Sequence, residues 1–351
     1  MAGDRLGGRI LAVDILRGMT VCLMVIVNNG VGDSFPFLRH AEWNGMTPCD
    51  MVFPFFLFIM GVSVFLASRK SVRAVLRRTV LIILVCWAIY WFECILYGDW
   101  LPFGHFRLTG VLPRIALSYC IVALLSRRLR PAGMGAAAAV LLGLYSLLIL
   151  LGNGYSNDPS NIISVVDRAL LGQDHLYMKR PVDPEGLLGL IPSVAHTILG
   201  YLCGAMLKSG RPAGRKVGAV AAYGAVLLAC GLVLSLWLPL NKRIWSPSFV
   251  LVTCGAAALL LSLLTYLLDI RGLDRGAEFF RVFGVNSLAL YVLSEALSTA
   301  LGRFDVPDAL YDCFRSFLPG TWASLLYAVL FMLLVWGVGY ALYRKKVFIK
   351  L

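Results

Sequence analysis

The sequence predicts an all-α fold, a polytopic membrane protein of about ten transmembrane helices. Three observations carry that prediction. Apolar runs recur from end to end of the 351 residues, each near the ~20 residues that cross a hydrocarbon core. Hydrophobic residues make up 59% and charged residues 15%, where a soluble domain carries roughly 25% charged. Lys and Arg collect in alternate connections.

The first span, 12–28, carries Asp14 and Arg17 three apart on one face, where they can pair, and Gly18, which permits close packing. It ends at Asn28 and Asn29. The second, 50–68, follows a Trp43-Asn44-Gly45 turn. Thr47 is its N-cap and Asp50 lies in its first turn, where the helix dipole favours a carboxylate. The third, 77–97, contains Glu93. Arg107 and Arg114 flank the start of the fourth, 108–126; Arg114 sits inside the apolar run and needs Asp50, Glu93 or a ligand anion as partner. The fifth spans 132–152. After it comes the largest connection, 153–185, soluble in character and rich in Asn, Asp, Pro and Gly. DPEGLLG, with Glu185, opens the sixth, 186–207, which contains His196. The seventh is 217–238, and NKRIWSPSFV (241–250) leads into the eighth, 248–268. The ninth, 277–301, contains Asn286, Ser287 and Glu295; the tenth is 320–343. The whole chain, 1–351, reads as one domain.

Orientation follows from the basic residues. With the N-terminus inside, the inner tails and loops hold twenty, including Arg5, Arg9, Arg69, Lys70, Arg127, Lys208, Arg271, Arg344 and Lys350. The outer loops hold nine: Arg39, Arg107, Arg168, Lys179, Arg180, Lys242, Arg243, Arg303 and Arg315. Both termini are therefore expected in the cytoplasm. The net charge of +13 reflects this bias and attraction to anionic membrane lipids, not nucleic-acid binding. Of nine cysteines, seven fall in expected helices. Cys49 and Cys313 both fall toward the outer side, where a disulfide between them is an open expectation.

The densest polar stretch lies between the first two spans. His40, Trp43, Asn44 and Asp50 fall near one mouth of the bundle, and ionisable groups at a membrane edge are functional candidates by default. Asp50 has a bland reading, a capping acid, and a functional one. A carboxylate bound to one imidazole nitrogen leaves the other free as an acceptor, which orients a general base. No second His or Cys is spaced to bind metal with His40, so no metal is expected. Asn241, Lys242 and Trp245 suit a sugar-binding rim, although Trp245 equally suits an interfacial belt. Polar groups in several helices imply a shared interior cavity.

These motifs carry a resemblance. RILAVDILRGMTVCLMVIVNNG, HAEWNGMTPCDMVFPFFLFIMGVS, RLTGVLPRIAL, DPEGLLG, NKRIWSPSFV and GVNSLALYVLSE, in this order, resemble the heparan-α-glucosaminide N-acetyltransferase family, especially its bacterial branch found in amino-sugar utilisation. The resemblance implies a bundle of the transmembrane acyltransferase type. It implies transfer of acetyl from cytosolic acetyl-CoA to the amine of a glucosamine on the far side of the membrane, here a bacterial inner membrane. It places the family's active-site histidine on His40, its asparagine on Asn28 or the neighbouring Asn29, and its aspartate on Asp50. Acetyl-CoA contacts are expected from Asp14, Arg17, Arg114, Asn286 and Ser287. Contacts to the amino-sugar acceptor are expected from Trp43, Asn44, Glu185, Asn241, Lys242 and Trp245. By family analogy a homodimer is expected. The rival class is an amino-sugar transporter, since a helical bundle with intramembrane acids fits both. A passive sensor or assembly subunit, its polar groups serving helix packing alone, is the third reading.

Overall fold

A computed structural model describes residues 10–67 and 70–349; Arg5, Arg9, Arg69 and Lys350 of the charge pattern lie outside them. The described residues form thirteen α-helices and no strand. They are α1 (Leu11–Asn28), α2 (Val52–Leu66), α3 (Val72–Leu96), α4 (Val111–Leu125), α5 (Pro131–Leu151), α6 (Ile162–Leu171) and α7 (Leu190–Leu207). Then follow α8 (Ala213–Leu234), α9 (Pro247–Leu264), α10 (Ala277–Val285), α11 (Ser287–Arg303), α12 (Val306–Arg315) and α13 (Gly320–Arg344).

Among the described residues, eight helices are long and apolar enough to cross a membrane: α1, α2 with its leading turn, α3, α5, α7, α8, α9 with its π-helical extension, and α13. The expected ninth span is broken. α10 and α11 meet at 82°, and they make a ninth crossing if counted as one. The expected fourth span, α4, has 15 residues, about 22 Å of helix against a ~30 Å core. The expected ten spans are thus eight full, one broken and one short.

The break has a packing cause. A Cβ on Gly284 would overlap the Asp14 carbonyl, and one on Gly18 would overlap that of Phe280, so α10 lies backbone to backbone across the start of α1. The chain then turns at Asn286. Its Nδ2 donates to the Val347 carbonyl at 3.0 Å, and its Oδ1 accepts from the Ile349 amide at 2.9 Å, binding the tail after α13.

α7 is largely enclosed and packs on α2 just as closely, since a Cβ on Gly61 or Gly200 would enter the opposing backbone. α3, α5 and α8 instead turn most of their surface outward, as lipid-facing helices do. Contacts between connections join like with like. At one end, the Asp269 carboxylate caps α1, accepting from the Leu11 amide at 2.8 Å and the Ala12 amide at 3.0 Å, and Arg127 donates to the Lys70 carbonyl. At the other, Arg303 donates to the Leu96 carbonyl, and the Gly45 amide to that of Leu240 at 2.7 Å. The alternation read from charge therefore corresponds to the two ends of the bundle, a basic end and an opposite end.

Two short helices were not legible as spans. α6 folds much of the 153–185 connection onto the bundle, where Ile163 and Val182 pack with Tyr145, Ile149 and Ile244. α12 joins α11 to α13.

Candidate active site

The site lies at the end opposite the basic one, where a 3-10 turn, Pro48–Met51, leads into α2. Asp50 is fully buried there. Its Oδ2 accepts from the Thr47 amide at 3.0 Å, the Thr47 hydroxyl and the Ala41 amide, both at 3.1 Å. Its Oδ1 lies 2.7 Å from His40 Nδ1. One oxygen of Asp50 thus serves the cap and the other faces the imidazole. An ionised carboxylate only accepts, so the Nδ1 proton belongs to this bond, and in the neutral ring the lone pair falls on Nε2. The His40 side chain is half exposed, at 51%, while its partner is buried. A fixed ring edge facing outward is the arrangement a base or nucleophile needs.

Lys242 arrives from a second loop. Its Nζ lies 3.0 Å from His40 Nδ1, 3.3 Å from Nε2 and 3.4 Å from Asp50 Oδ1. The turn that carries it is locked by Asn241, fully buried, whose Oδ1 accepts from the Ile244 amide and whose amide donates to the Ser246 hydroxyl, both at 3.1 Å. Asn241 Nδ2 donates to Asn44 Oδ1 at 3.1 Å, tying this turn to the Trp43-Asn44-Gly45 turn. Trp43 is held in turn, its indole donating to the Tyr155 carbonyl at 2.7 Å. Asn44 and Asn241 thus brace the two loops that bring Lys242 to His40.

Trp245 is placed away from any rim. It is 1% exposed, its backbone is in the left-handed region at φ 55°, and its ring packs between Phe53, Phe249 and His196. The Arg114 guanidinium lies 5.2 Å from the Trp245 ring centre and donates to the Gly186 carbonyl at 3.0 Å. That is its partner in the structure, rather than Asp50 or Glu93. Glu185 accepts from Arg107 at 2.8 Å, beside the buried Asp183 at 3.1 Å. Burial opposes the Arg107 charge, but Tyr90, Glu185 and Asp183 around it hold its pKa above the ordinary arginine value. Close by, burial pushes the Asp167 carboxyl on α6 up to about 6.

Asn28 and Asn29 part company at the end of α1. Asn29 is buried and its Nδ2 donates to the Val25 carbonyl of its own helix at 2.7 Å. Asn28 is exposed and donates to Glu295 on α11 at 3.2 Å. The remaining residues expected to meet acetyl-CoA sit at the basic end. Arg17 bonds Asp14 at 3.4 Å, the Ser63 hydroxyl at 2.6 Å and the Gly284 carbonyl at 3.4 Å; Asn286 holds the tail, and Ser287 opens α11. From Asp14 to Asn28 is fourteen residues of helix, about 21 Å. The expected set is split, with Arg114 near the His40 end and the other four at the basic end.

Cys49 and Cys313 are both free, which answers the open question of whether they pair. The Cys49 thiol is buried against His40, its Sγ 3.1 Å from Nδ1, whereas Cys313 is exposed on α12. Sequence reasoning missed this contact; the one signal was that Cys49 directly precedes Asp50. It placed Glu295 only among the acids of a shared cavity and did not foresee its bond to Asn28.

The fold is that of a polytopic helical membrane protein. The chain belongs to the acyltransferase domain family, whose pattern it matches over residues 10–344. It is 29% identical to the heparan-alpha-glucosaminide N-acetyltransferase of Homo sapiens and 28% identical to that of Mus musculus, in each case over 98% of this chain. The chain spans about 60% of the length of these relatives.

Proposed function

We propose that this protein is a transmembrane N-acetyltransferase. It takes acetyl from acetyl-CoA on the cytosolic side and transfers it to the amine of glucosamine, or of a glucosamine-ended saccharide, on the other side. The observation that carries this reading is the 2.7 Å His40–Asp50 pair with Lys242 beside it, at the end of the bundle opposite the basic residues. The CoA phosphates suit the basic end, where Arg17 and its neighbours Asp14, Asn286 and Ser287 gather, and where the inner Lys and Arg residues lie. The acyl arm then reaches the His40 end, where Arg114 is near and Trp43, Glu185 and Lys242 meet the sugar.

In one version, His40 Nε2 attacks the thioester carbon, the C–S bond breaks and CoA leaves as the thiolate, which takes up a proton. The acetyl-imidazole is then attacked by the neutral amine, the C–N bond to His40 breaks, and the freed imidazole takes the proton shed by the new amide nitrogen. In the other, His40 removes the ammonium proton and the neutral amine attacks acetyl-CoA directly; the C–S bond breaks, CoA leaves as the thiolate, and that thiolate takes the proton shed by the new amide nitrogen. Both need donors for the acyl oxyanion, a role for Asn28 and the Lys242 ammonium.

Purified protein is incubated with labelled acetyl-CoA and glucosamine. Label in the amide, abolished by His40→Ala, is expected; full transfer by that variant would overturn both versions. Acetylated His40 trapped with acetyl-CoA alone selects the first. The rival reading is an amino-sugar transporter, favoured by the 82° break between α10 and α11, since broken helices build transporter sites. Uptake of glucosamine into vesicles without acetylation would establish it.

A further inference from the structure

The role of Asn28 rests on how its amide is held, and one residue holds it. Asn28 is the last residue of α1 and is exposed, so its own helix does not fix the side chain. Its Nδ2 donates to Glu295 Oε1 at 3.2 Å, across 267 residues of chain. The neighbouring Asn29 is buried instead, and its amide turns back to the Val25 carbonyl of its own helix.

Glu295 is itself placed by the break in the helix. α11 starts at Ser287 after the 82° turn, and Glu295 lies two turns along it. Without the turn, α10 and α11 would run on as one rod and the acid would leave the α1 terminus. The groups that act on Glu295 among the described residues are Asn28 from α1, Glu93 from α3 and Tyr291 one turn back on α11. A carboxylate inside a span is expensive to place, and its one hydrogen bond to another helix here goes to a candidate active-site amide.

We propose that Glu295 is a positioning residue for Asn28. It accepts one of the two amide protons and so fixes the plane of the side chain. The second N–H and the amide oxygen are left on the side away from α11. The second N–H then meets the oxyanion in the same place at each turnover, and no reorganisation is needed. This inference rests on the proposed acyl transfer and on Asn28 acting in it.

The test is a double-mutant cycle on Asn28 and Glu295, with acetyl transfer to glucosamine as the readout. Asn28→Ala is expected to lower kcat at least tenfold. Glu295→Ala should lower kcat by about the same factor at unchanged KM for acetyl-CoA. The double variant should be no slower than Asn28→Ala alone, since the two act as one unit. Glu295→Gln keeps a carbonyl oxygen that can accept, so it should hold kcat within threefold of wild type. Multiplying effects in the double variant, or a Gln variant as slow as the Ala variant, would overturn the proposal. If Asn28→Ala itself has wild-type kcat, the role given to Asn28 fails instead. Yield, oligomeric state and melting temperature in detergent, matched across wild type and the four variants, separate positioning from misfolding.

Discussion

The two ends of the bundle use similar polar residues in different ways. At the basic end, Asp269 caps α1, Arg17 bonds Asp14, Ser63 and a carbonyl of α10, and Asn286 binds two backbone groups of the tail. These groups join helix to helix. At the opposite end, Asn241, Asn44, Thr47 and Asp50 also bond to one another, but their network stops at a half-exposed imidazole. A closed network holds structure. One that stops at a solvent-facing ring edge with a cation beside it holds structure and leaves one atom to react.

Breaking the open network should cost most. Asp50→Asn supplies a single carbonyl oxygen where two are used, and its amide would face the His40 nitrogen that now donates. A loss of about 100- to 10,000-fold in transfer is expected, the range seen when an orienting carboxylate is removed. A rate within tenfold of wild type, in a folded protein, would show that the His40 ring needs no such partner.

Lys242→Met comes next. It removes the ammonium beside Nε2 while sparing the Asp50–His40 bond, so kcat should fall about 10- to 100-fold with KM for acetyl-CoA nearly unchanged. Lys242→Arg should recover part of that. If KM for glucosamine rises instead at constant kcat, the lysine binds acceptor and takes no part in charge stabilisation.

At the basic end, Asn286→Ala should act on stability before chemistry. It leaves the Val347 carbonyl and Ile349 amide without their partner, a cost of about 1–3 kcal/mol read as a lower unfolding midpoint. A change in kcat larger than the change in KM for acetyl-CoA would blur the contrast between the two ends.

The smallest effect is one of pH. Asp167 has its pKa raised by burial to about 6, above its unfolded value near 3.8. A raised acid favours the fold fully below the unfolded value, and that contribution is lost as pH climbs through 6. Asp167→Asn should therefore flatten the fall in melting temperature between pH 4 and pH 7. An unchanged pH profile would mean that Asp167 titrates normally.

Much of this was legible in the sequence. Spacing and charge gave the helices within a few residues, because the cost of unpaired backbone in lipid leaves little freedom. The pairing of Asp14 with Arg17 is a helical-face argument and survived. His40 and Asp50 were legible because they share one short loop with a capping signal. Trp245 misled, since an aromatic near a helix start reads as rim or belt; only the fold shows Phe53 and His196 closing over it. For Arg114, only the fold shows that the Gly186 carbonyl, 72 residues off, takes one of its N–H groups.

By itself the sequence determined the class: a membrane bundle, its alternation, and a histidine and carboxylate at one mouth. These follow from local rules, namely hydropathy, charge placement and residues a few positions apart. The tertiary structure alone decided that Lys242 meets His40 across 202 residues, that Asn28 faces Glu295, and that the ninth span breaks at Asn286. Each depends on which helices become neighbours and how closely their backbones approach. That is set by the packing of small residues such as Gly18 and Gly284 over the whole bundle, and no local pattern carries it.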